Sequence, residues 1–195
     1  MREPQLTNAE QLRAAYLAKA TAEIADADAE TGAGAGSWAG PLIGARMAFV
    51  VGEPQAGGAL MNERVADAVT KAAEALGAGA AVFTLLSRPV HGMDAESAAR
   101  RLRLVLEAVD PPAVVALDPL AATDLAGAFG TRDLPESHPV RAFGRALGSA
   151  GDFAASLDDP VAKTRAWSAM KGVAALGGLE TKVRSKPASD AKAAR

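Results

Sequence analysis

A carboxylate set directly beyond an apolar run can act as a general base, and Glu53 has that setting: "MAFVV" (47–51) is followed at once by Gly52 and Glu53. The same position suits a helix N-terminal anchor or a solvated turn, so both roles stay open. Only two histidines are present, His91 and His138, too few for a histidine-rich metal site. His138, in "ESHPV", reads as a solvated loop residue before a proline. Cysteine is absent, which removes thiol nucleophiles, cysteine-ligated zinc, ordinary iron–sulfur clusters and disulfides together. Neither a metal nor another cofactor is expected. Arg88, just before Pro89, is placed either to meet a phosphate or to solubilise the surface. The glycine-rich stretch "TGAGAGSWAG" (31–40) has no Gly-Lys-Ser/Thr after it and no strand before it, so it reads as a linker rather than a phosphate loop.

The elements that must position these groups follow from periodicity. Thr7 with Glu10 makes a capping-box pattern ahead of an Ala-rich helix running from Asn8 to about Ala29. Its apolar positions, Leu12, Ala15, Tyr16 and Ile24, form a thin stripe interrupted by Lys19. Such a helix either docks on a partner, tethered by the glycines, or folds back onto the domain. From Met47 onward short apolar runs alternate with amphipathic segments: "MAFVV", "AAVFTLL" and "AVVAL" as buried strands, with helices between and after them. In "DAESAARRLRLVLEAV" the stripe Ala98, Leu102, Val105, Leu106 and Val109 leaves Arg100, Arg101 and Arg103 largely outside it. Asp118–Pro119 starts the next helix. "TRDLPESHPVRAFGR" is a turn-rich connection, "ALGSAGDFAASL" supplies a last strand and turn, and Asp159 with Pro160 starts a closing helix. Its inner side is read as Val161, Trp167, Met170 and Val173.

Strand–helix alternation in this order implies right-handed crossovers and a parallel sheet covered on both faces, a three-layer α/β/α domain. The chain of 195 residues divides into an N-terminal helix (1–30), a Gly-rich linker (31–45), one α/β domain (46–179) and a tail (180–195) read as disordered. Net charge is -2, yet "TKVRSKPASDAKAAR" carries five basic residues against one Asp. No apolar run is long enough to cross a bilayer and no secretory leader is visible, so the expectation is a cytoplasmic protein without membrane contact.

The order of landmarks over about 47–176 resembles the uracil-DNA glycosylase superfamily, nearest to its family 4 branch. "FVVGEPQAGG" is similar to that family's Gly-Glu-Ala-Pro-Gly motif after a strand, "VDPPAVVALDPLAATDLAGAFG" to a second segment, and "DDPVAKTRAWSAMKGV" to the helix after its second catalytic motif. The resemblance implies a base pocket formed by Gly52, Glu53, Pro54, Gln55, Leu85 and Asp152. Here Pro54 and Gln55 replace the family's Ala-Pro, Leu85 stands where an Asn reads uracil, and Asp152 falls where the His of a His-Pro-Ser turn stabilises the departing base. His138 is the weaker candidate for that histidine, and the family's cluster cysteines are missing. The same fold with erased motifs resembles the psi subunit of the bacterial DNA polymerase III clamp loader, which works through protein contacts. What this implies is a catalytically degenerate accessory factor of DNA replication or repair, with a protein partner and weak DNA contact through Arg88, Lys182, Arg184 and Lys186. An active glycosylase using Glu53 and a small-nucleotide binding protein are the alternatives.

Overall fold

A computed structural model describes residues 7–34 and 36–180. The elements, in chain order, are α1 (Asn8–Thr31), β1 (Trp38–Ala39), β2 (Met47–Val51), α2 (Glu63–Ala75), β3 (Val82–Leu86), α3 (Ala95–Val109), β4 (Ala113–Ala116), α4 (Pro119–Ala128), β5 (Val140–Ala142), β6 (Arg145–Ser149), α5 (Phe153–Ser156) and α6 (Pro160–Leu176). They form a mixed α/β fold around one six-stranded sheet of order β1-β3-β2-β4-β6-β5. The four inner strands run parallel, and β1 and β5 close the two edges antiparallel.

Burial on both faces explains why β2 reads as an unbroken apolar run rather than an alternation. Met47, Phe49 and Val51 pack with Val65, Val69 and Ala73 of α2 and with Met170 and Val173 of α6. Ala48 and Val50 join the opposite layer, which holds Leu102, Val105 and Leu106 of α3, Leu125 of α4 and Ile24 of α1. The expected caps form: Thr7 and Glu10 make the capping box of α1, Asp118 caps α4 and Asp159 caps α6.

The N-terminal helix is divided in its role. Ala20, Ile24 and Ala27 are buried against α3, while Leu12, Tyr16 and Leu17 stay exposed. Arg101, read as lying outside the α3 stripe, is instead fully buried. It donates to Asp28 of α1 at 2.8 Å, to the Leu86 carbonyl at 2.7 Å and to Ser37 Oγ at 2.9 Å. A buried guanidinium needs such partners, and the three groups tie α1, the segment after it and the end of β3 together.

That segment is no free hinge. Within the stretch read as a linker, Trp38 and Ala39 pair with Leu85 and Thr84, the Leu86 N–H donates to the Ser37 carbonyl, and the Trp38 ring stacks on Phe83 with centroids 5.7 Å apart. Gly40, at φ 115°, makes this possible: a Cβ there would stand 2.2 Å from the Val82 carbonyl oxygen. The connection 131–145 likewise contains more than turns, since β5 and β6 form a hairpin through Phe143 and Gly144, both at positive φ, as a two-residue type I′ turn requires. On α6, Met170 and Val173 are buried and Trp167 partly so, whereas Val161 points outward and is 67% exposed. It sits on the first turn, beyond the reach of the sheet.

Candidate functional site

In open α/β sheets, ligands settle outside the carboxyl ends of the strands where the winding direction reverses. Here β3 lies on one side of β2 and β4 on the other, so the crevice belongs to the ends of β2 and β4. Asp118 fills it. Its Oδ1 accepts the Ala121 N–H at 2.8 Å as the cap of α4, and its Oδ2 accepts the Gly52 N–H at 2.7 Å. A Cβ on Gly52 would stand 2.8 Å from Asp118 Oδ1, so the glycine is required for this close approach. The donor that the strand end would offer an incoming anion is thereby spent inside the protein.

Beside the crevice, Asp124 of α4 is buried and takes a Ser87 Oγ hydrogen bond at 2.6 Å. Arg88 grips the same carboxylate in bidentate fashion, Nε at 2.9 Å and Nη2 at 2.7 Å, and donates from Nη1 to the Met93 carbonyl. The hydrogen bond to Asp124 raises the Arg88 pKa above the ordinary arginine value, burial opposes it, and the nearby charges of Asp124, Glu53 and Asp94 add to the rise. Arg88, read as either a phosphate contact or a surface cation, is engaged here by Asp124 and the Met93 carbonyl. Asp124 carried a readable signal: an acidic residue next to Leu125 on the apolar side of a helix must find a buried partner.

The other expected site residues do not converge. Glu53 is exposed and has no hydrogen-bond partner among the described residues. Pro54 is half-buried, and Gln55 closes a small loop with Ala59 and Gly58 through main-chain bonds. Leu85 is fully buried in the core layer with Val50 and Leu102, so it faces packed side chains rather than a pocket. Asp152 is the exposed N-cap of α5, its Oδ1 accepting the Ala155 N–H at 3.0 Å. His138 is exposed, its Nδ1 2.7 Å from Ser137 Oγ, and His91 is exposed as well. Lys182, Arg184 and Lys186 lie outside the described residues.

Two of the concavities among the described residues border the carboxyl-end loops or the closing helix. A groove of about 690 Å³ runs between α2 and α5–α6, floored by Ala72, Phe153 and Met170, with Trp167 on its wall and Lys163 on its rim. A cavity of about 560 Å³ lies at the carboxyl end of β6, between Ser149, Gly151 and the loop carrying Arg132 and Glu136. On the wall of the first groove Lys71 donates to Asp67 at 2.6 Å, an exposed ion pair one helical turn apart on α2. Among the described residues no cluster of three or more His, Asp or Glu could hold a metal ion, and no helix is long and apolar enough to cross a membrane. No family model matches this chain, and no curated protein matches it in sequence.

Proposed function

We propose that this chain is a catalytically degenerate protein of the uracil-DNA glycosylase fold, acting in the cytoplasm as a binding accessory factor of DNA replication or repair. One observation carries the reading: the two positions that the motif resemblance assigns to reading the base and stabilising its departure, Leu85 and Asp152, serve as a core residue and a helix cap. Leu85 has no hydrogen bond to give, and an ionised Asp152 would repel a departing uracil anion rather than stabilise it. The exposed Leu12, Tyr16 and Leu17 on the free half of α1 suit a protein-binding role.

The test is uracil release from single-stranded uracil DNA together with capture of partners from native cell extract. No release, and capture weakened by Leu12→Asp, is the expected pair of results. Release that disappears on Glu53→Gln would establish the active-glycosylase alternative instead.

A further inference from the structure

The two faces of the sheet are covered unequally. On one, α3 packs closely against both α1 and α4; on the other, α2 and α6 share the apolar layer yet stand apart, with almost no backbone contact between them. Arg64 at the start of α2 pairs with Asp158 just before α6, which ties the two N-terminal ends together. Between the helices lies the groove of about 690 Å³. Its lining recurs at helical spacing on each wall, as Ala68, Ala72 and Ala75 on α2 and as Lys163, Trp167 and Met170 on α6. The groove therefore follows both helices for about three turns, roughly 15 Å.

Its floor is apolar and its rim is positive. Phe153, Met170 and Ala72 are buried at the bottom, and the Trp167 ring is left half-covered on the wall. Along α6 the stripe Lys163, Trp167, Lys171 sets one ammonium on the groove and a second 5.9 Å from the ring centroid. Arg64 and Lys71 are neutralised by Asp158 and Asp67, but among the described residues no carboxylate pairs with Lys163 or Lys171. Both walls are helices whose main-chain N–H and C=O groups are spent in their own ladders, so an extended peptide would find nothing to pair with. A helix brings its main chain already paired.

We propose that this groove takes an amphipathic helix of a partner protein, about three turns long, with aliphatic side chains turned to Trp167 and Phe153 and carboxylates beside them for Lys163 and Lys171. A tryptophan over an apolar floor with charge at the rim has the make-up of an interface anchor. The charges select against a second copy of this chain as the occupant. The exposed half of α1 offers Leu12 and Tyr16, yet the only carboxylate among residues 8–19 is Glu10, which is taken up by Thr7. The proposal does not depend on the glycosylase resemblance, and it adds a binding face on the side of the sheet opposite to α1. Uracil release and Leu12→Asp bear on the proposed function, whereas a helix seated in this groove bears on this proposal alone.

The experiment uses the full chain carrying Trp38→Phe, which leaves Trp167 as the sole tryptophan. It is titrated with a lactam-stapled helix of about three turns whose leucines recur at helical spacing between glutamates, and with the same peptide bearing lysine for every glutamate. The expected result is a saturable change in Trp167 emission, with the acidic peptide binding at least about tenfold more tightly than the basic one. Lys163→Glu with Lys171→Glu, both at exposed positions, should invert that preference. Arg100→Glu with Arg132→Glu, an equal change in net charge at exposed positions away from the groove, should keep it. By anisotropy of the labelled acidic peptide, Trp167→Ala should weaken binding about tenfold or more. The proposal is overturned by the absence of a saturable response to the acidic peptide, by equal affinity for both peptides, or by a preference that the lysine pair leaves unchanged or the arginine pair removes. Self-association of the chain that Trp167→Ala abolishes would make a second copy the occupant and overturn it as well.

Discussion

Arg101→Met tests whether the N-terminal helix belongs to the folded body. The substitution keeps an apolar stem of similar reach and removes a guanidinium that is fully buried and donates to Asp28, Ser37 and the Leu86 carbonyl. Breaking a buried ion pair from one side costs roughly 3–5 kcal/mol, since the remaining charge loses its partner. Asp28 keeps a little access to water, its side chain being 16% exposed, and Ser37 Oγ stands 3.4 Å from Asp28 Oδ2. The lower end, about 3 kcal/mol, is therefore expected. For a chain of this size it corresponds to a fall in melting temperature of about 6–12 °C, read by circular dichroism. Adding Asp28→Leu should recover much of the loss, because an apolar pair of similar volume replaces a buried ionic pair at little or no net cost. Leu12→Asp, on the exposed half of the helix, should leave melting unchanged within about 0.5 kcal/mol. A shift below about 2 °C for Arg101→Met, or single effects that merely add in the double variant, would refute the view that this ion pair fastens α1.

Two further outcomes are expected. Gly148→Ala should cost about 1–3 kcal/mol in chemical denaturation, since its Cβ would stand 2.4 Å from Val173 Cγ2, and Val173→Ala in the same chain should relieve most of it. Acid should destabilise the fold as pH falls below about 4, the ordinary carboxylate range. Asp94 is held below its ordinary value by the Ser97 N–H and hydroxyl, Glu10 by Thr7 and Asp158 by Arg64, so their stabilisation is present above the unfolded pKa and disappears as pH drops through the lowered folded one. Asp94→Asn, which keeps an acceptor for the cap, should flatten the acid limb of a melting-temperature profile.

The sequence by itself determined the elements whose cause is local. Apolar spacing placed α2, α3 and α6 on the sheet, and Thr7, Asp118 and Asp159 marked helix starts, because a cap and a periodic stripe need only neighbours a few residues away. The tertiary structure alone decided what depends on distant partners. A two-residue strand such as β1 has no pattern of its own and exists only because the edge of β3 is there to pair with it. Arg101 looks like one of three surface arginines on α3 until Asp28, 73 positions earlier, is folded against it. Arg88 reads as either a phosphate contact or a solubilising surface cation, and only the fold shows that Asp124 pairs with it from another helix. Leu85, matched by motif to a pocket position, is turned into the core by its pairing with Val50 and Trp38, because the face a strand residue occupies is fixed by register across strands.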